Sequence, residues 1–78
     1  MPVCLTVDAR GLLCPLPVIR LQDAARQQTP GTQITILATD PGVLADIPAW
    51  CRVHGHRVIE QTTTGREISV LVQIDAAP

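Results

Sequence analysis

Cys14 stands directly before Pro15-Leu16-Pro17, and this Cys-Pro-x-Pro stretch is the part of the chain best suited to chemistry. A thiolate is both nucleophile and leaving group at sulfur. An apolar segment with helical spacing follows at once, so the prolines fall where a helix begins. The first four N–H groups of a helix have no internal partner, so proline forfeits nothing there. Its fixed φ also suits the first helical position. These rules place Cys14 at the N-cap, Pro15 at the first helical position and Pro17 two residues later. A cap side chain normally accepts a hydrogen bond from the second or third helical N–H. The third is Pro17, which has none, so Leu16 N–H is the expected donor to the Cys14 sulfur. A thiol held at the positive end of a helix dipole is expected to titrate below the ~8.5 of free cysteine. The same residues also suit a buried cysteine packed as a small apolar side chain.

The other reactive side chains point elsewhere. Cys51 falls on an apolar stripe with Ile47, Trp50 and His54, which favours burial, and Cys4 lies on the polar face of a strand. His54 and His56 beside Cys51 match no structural zinc spacing, so no metal is expected. Asp40 and Asp46 read as helix caps more than as an acid–base pair. The chain has six arginines and no lysine, which excludes a lysine Schiff base and pyridoxal chemistry carried by the chain itself. No cofactor is expected.

Seventy-eight residues suit one small domain, 1–78. Three cysteines cannot close a disulfide framework, and none is spaced as C-x-x-C; this favours a reduced, cytoplasmic protein. No apolar run has spanning length and no signal peptide is legible, so no membrane partner is expected. A net charge of −1 argues against electrostatic attraction to nucleic acid or acidic lipid.

Stepping along the chain, residues 3–8 alternate with Val3, Leu5 and Val7 on one face, as in a half-buried strand. Val18, Leu21 and Ala25 recur at helical spacing from Pro15 to about Gln28, and Thr29-Pro30-Gly31 ends that helix. Residues 32–39 form a second strand with Ile34, Ile36 and Ala38 inward. Asp40-Pro41-Gly42 reads as a turn; Asp46 as N-cap would then put Pro48 in the first turn of a second helix ending at Gly55. Residues 57–62 and 67–74 are strands joined by a hairpin. The order βαβαββ predicts an α/β two-layer sandwich, with two helices packed on one face of a four-stranded mixed sheet.

The stretches "DARGLLCPLPVIRL" and "DPGVLADIPAWCRVHGH" and the terminal hairpin, in that order and spacing, resemble the TusA (SirA-like) sulfur carrier proteins over essentially the whole chain. The resemblance implies the same βαβαββ sandwich and a sulfur-carrying cysteine at Cys14. It implies a cysteine desulfurase or rhodanese-like protein as sulfur donor and a downstream acceptor protein. Outlets known for the family are tRNA thiolation, sulfur oxidation and cofactor assembly. Leu16 departs from the glutamate that some tRNA-thiolation members carry there. The expected product is a Cys14 persulfide, which makes the chain a relay protein more than a stand-alone enzyme.

Leu16 and Ile19 lie away from the helical core stripe and share a side with Arg20, so they form an expected docking patch beside Cys14. A small α/β module binding RNA without sulfur chemistry is the alternative, although the sheet offers no aromatic side chain for stacking. A thiol reductase would want a resolving cysteine near the nucleophile, and position 17 is proline.

Overall fold

The computed structural model describes residues 4–75. Its elements follow in the order β1 (Cys4–Ala9), α1 (Leu16–Ala25), β2 (Gln33–Ala38), α2 (Val43–His54), β3 (Arg57–Thr64) and β4 (Glu67–Gln73). This is the predicted βαβαββ mixed sheet with its two helices; Val3, placed in the first strand by its alternation, lies outside the described residues.

The four strands lie in the order β1-β2-β4-β3. β1 runs parallel to β2, whereas β4 pairs antiparallel with both β2 and β3. A parallel pair needs a crossover, and α1 supplies it. β3 and β4 need only the two-residue turn Gly65-Arg66, where Gly65 at φ 61° takes the conformation that a tight hairpin requires.

Alternation decides which face is covered. Ile34, Ile36 and Ala38 of β2 are buried together with Ile68, Val70 and Val72 of β4. α1 adds Pro17, Leu21 and Ala25 to this layer, and α2 adds Val43, Ile47, Trp50 and Cys51. The intervening residues of β2 and β4 are only partly buried, and β3 is mostly exposed. Leu5 and Val7, expected inward, are partly buried against this core because β1 is an edge strand.

Two expectations about α2 need correction. The helix starts at Val43, so Asp46 is not its N-cap but an acidic residue in its first turn. The turn itself nucleates the helix: Asp40 Oδ1 accepts the Gly42 N–H at 3.0 Å, and Val43 N–H donates to the Asp40 carbonyl at 3.2 Å. Pro48 therefore lies inside the helix, where it withholds an N–H from the Leu44 carbonyl. Leu44 is exposed, so water can serve that carbonyl instead. His54, expected on the buried stripe, is exposed; His56 is buried in its place, 4.9 Å from the Trp50 ring centroid, with Nδ1 accepting the Asp75 N–H.

Gly55 ends α2 in the left-handed region at φ 77°, and the following His56 N–H donates to the Cys51 carbonyl at 2.8 Å. A Cβ in that conformation costs about 1 kcal/mol. Gly55→Ala is expected to lower the midpoint of thermal unfolding by roughly 4–8 °C, the shift that such a cost gives in a small domain. A circular-dichroism melt checks it, and an unchanged midpoint would show that this turn accepts a side chain.

Candidate functional site

The parallel strands β1 and β2 end side by side, with Ala9 paired to Ala38. The two loops that leave them, 10–15 and 39–42, carry the site. The loops are tied together by side chains: Gly11 N–H donates to Thr39 Oγ1 at 2.9 Å, and Cys14 N–H donates to Asp40 Oδ2 at 2.8 Å. The same Asp40 carboxylate accepts from Gly42 through its other oxygen. These bonds hold its carboxyl below the usual range, the Cys14 N–H first and the Gly42 N–H second. Asp40 therefore works as a clamp between the cysteine loop and the start of α2.

The prolines lie at the start of α1 as predicted, but one residue out of register. Pro15, joined to Cys14 by a cis peptide bond, is the N-cap, and Leu16 and Pro17 open the helix. Cys14 is thus outside the cap, and no side-chain hydrogen bond caps α1. Leu16 N–H donates to the Leu13 carbonyl at 3.0 Å, not to the Cys14 sulfur. Pro17 is buried in the core, so it packs the first turn as well as stiffening it.

The thiol instead turns toward the other helix. A Cβ built on Gly42, the N-cap of α2, would lie 2.8 Å from Cys14 Sγ. Partial burial pushes the Cys14 thiol up from 9.0 to about 12, and the carboxylates of Asp46 and Asp40, which attract its proton, add to the rise. The expectation of a lowered pKa is overturned. The positive end of α2 does favour a thiolate, by about 0.3–1 kcal/mol. One pKa unit is already about 1.4 kcal/mol, so burial and two carboxylates outweigh the dipole.

All three cysteines are free thiols: Cys4 is exposed, Cys14 partly buried and Cys51 buried. Burial pushes Cys51 up to about 11, which suits a packing role. Among the described residues, no group of three or more His, Cys, Asp and Glu side chains could hold a metal ion. No helix among them is long and apolar enough to cross a membrane. Trp50 is buried in α2 and so is not a stacking platform for bases.

Leu16 and Ile19, the expected docking residues, are 47% and 46% exposed. Leu13, next to Cys14, is 72% exposed, and Leu44 in the first turn of α2 is 38% exposed. Arg20 is exposed on α1. Arg10 is held by Asp8 and Glu67. Asp40, Gly42 and Asp46 are the site residues that sequence reasoning missed. Their signal was present in "DPGVLAD", but it read as a helix start and nothing local linked it to Cys14.

A four-stranded mixed sheet under two helices, with a half-buried thiol where two strand-to-helix loops meet, defines a small α/β sandwich protein. Residues 5–74 match the family described as sulfurtransferase TusA, and the chain belongs to that family of sulfur carrier proteins. It is 43% identical over 60 residues to the sulfur carrier protein TusA of Pseudomonas paraeruginosa, covering 77% of this chain and 76% of that one. The TusA of Pseudomonas fluorescens is 43% identical over 61 residues, covering 78% and 74%. The crystal structure of a SirA-like protein from Desulfitobacterium hafniense superposes with a TM-score of 0.79 at 26% identity, covering 92% of this chain and 99% of that one.

Proposed function

We propose that this sulfur carrier holds its sulfur as a persulfide on Cys14 and relays it between proteins in the cytoplasm. The observation that carries the reading is the placement of Cys14. Its thiol is partly exposed at the junction of two loops, whereas Cys51 is enclosed in the core and Cys4 stands on a bare strand. In the loading step Cys14 gives its proton to solvent, and the thiolate attacks the outer sulfur of a donor persulfide. The donor's S–S bond breaks, its cysteine leaves as a thiolate and takes up a proton, and Cys14 gains one sulfur atom. An acceptor cysteine reverses the exchange at the terminal sulfur. Both steps exchange a disulfide-type bond and need no cofactor. The chain travels with its cargo, as a carrier and not as a stand-alone enzyme, and all 78 residues act as one domain.

A cysteine desulfurase or rhodanese-like donor would dock on the apolar surface formed by Leu16 and Ile19 with Leu13 and Leu44, rimmed by Arg20. Single-turnover transfer from a persulfide-loaded desulfurase tests both parts. Wild type is expected to gain the mass of a single sulfur atom, mapped to the Cys14 peptide. Leu16→Asp with Ile19→Asp is expected to slow transfer about tenfold or more while leaving the circular-dichroism spectrum unchanged, because two buried carboxylates would oppose docking. Sulfur mapped to Cys4 or Cys51 would remove the assignment of Cys14. Unchanged transfer in the folded double variant would place docking elsewhere.

A further inference from the structure

Gly42 has no conformational reason to be glycine. Its φ of −56° and ψ of −24° are ordinary right-handed helical values, open to any L residue. Glycine there costs chain entropy that alanine would not. What glycine does supply is space: an added Cβ would meet Cys14 Sγ at 2.8 Å, Asp40 Oδ1 at 3.4 Å and Cys14 Cβ at 3.7 Å. The first separation is too short for any real contact, and the atom that must give way is a thiol on a single rotatable bond.

We propose that Gly42 is the seat of the Cys14 thiol, a positioning residue whose missing side chain lets the sulfur rest over the start of α2 between Asp40 and Asp46. The seat is held in register by Asp40, which binds the backbone N–H groups of Cys14 and Gly42 with its two oxygens. Seated, the thiol keeps its proton beside two carboxylates. Turned off the seat, it moves away from both charges into solvent, where it ionises as an ordinary cysteine. The residue at position 42 thereby sets how much thiolate the resting carrier offers to any electrophile, and loading by a donor includes turning the sulfur outward. This role for the seat rests on the reading of Cys14 as the sulfur carrier.

The test is the pH dependence of iodoacetamide alkylation, followed by mass spectrometry of the Cys14 peptide so that Cys4 and Cys51 remain native. Gly42→Ala is expected to keep the circular-dichroism spectrum and melting temperature of wild type or better. It is expected to lower the apparent pKa of Cys14 by at least about one unit and to speed alkylation at pH 8 by about tenfold or more. Gly42→Ser carries the same Cβ and should behave alike. A pH–rate profile that is unchanged in both folded variants, or shifted to higher pH, overturns the seat. Loading from a persulfide donor is measured on wild type in parallel. Failure to load with an altered Gly42→Ala profile would remove the carrier reading and leave the seat, whereas normal loading with an unchanged profile would remove the seat alone.

Discussion

Cys14→Ser is expected to abolish sulfur loading completely, whereas Cys4→Ser and Cys51→Ala each still gain a single sulfur atom from a persulfide donor. A serine hydroxyl cannot form a perthiol, and no second cysteine can replace Cys14. Cys51 is 2% exposed and enclosed by the core, so reaching it would require unfolding α2 from the sheet. Cys4 is exposed, but it sits on β1 at the far end from the loops that hold Cys14. Intact mass after incubation with a desulfurase and cysteine measures the effect. Loading of Cys14→Ser at the wild-type level would end the assignment.

The second large effect concerns proton affinity. Asp46→Asn removes a negative charge beside the thiol, and Asp40→Asn removes another. Each should lower the Cys14 pKa, and together they should raise its alkylation rate at pH 8 by about a hundredfold, two pKa units. In wild type the alkylation rate should keep climbing through pH 10, beyond the range where an ordinary thiol has levelled off, because the folded thiol ionises only at about 12. The stability linkage has a definite sign. Folding holds this proton more tightly than the unfolded chain does. Its stabilising contribution is therefore complete below the ordinary value of 9.0 and is lost as pH rises toward about 12. Asp40→Asn carries an additional cost, since its NH2 replaces one of the two oxygens that each accept a separate backbone N–H, and an unsatisfied donor costs about 1–3 kcal/mol. Asp46→Asn has no such liability, so the two single variants separate charge from clamping. A Cys14 profile unmoved in Asp46→Asn would show that the Asp46 carboxylate does not hold the thiol's proton.

The parts of the molecule that were legible in sequence are those governed by short-range periodicity. The twofold alternation of "TQITILAT" and "EISVLVQI" marked the two central strands and their buried faces. Val18, Leu21 and Ala25 marked α1, and Gly55 marked the end of α2. Cys14 was singled out by its prolines, but its environment was not, because the partners that define it come from 26 residues further on. A local reading offered the thiol the only helix it could see, α1, and assigned it a lowered pKa. The fold delivered α2 instead, together with two carboxylates. Pro48 misled in a similar way: a proline argued for a late helix start, whereas the Asp40-Pro41-Gly42 turn had already begun the helix.

Strand direction has one further consequence. The cysteine loop leaves the sheet where Ala9, Ala38 and Ile68 are aligned, and Cys4, Gln33, Gln73 and Arg57 align at the other end. Cys4 and Asp75, the first and last described residues, therefore both lie at the end away from the thiol. Five residue steps along β1 separate the two ends, about 17 Å. An attachment made at Cys4 or Asp75 would stand at the opposite end of the strands from Cys14. A form held at either of these residues would leave the Cys14 end of the sheet free for a visiting protein.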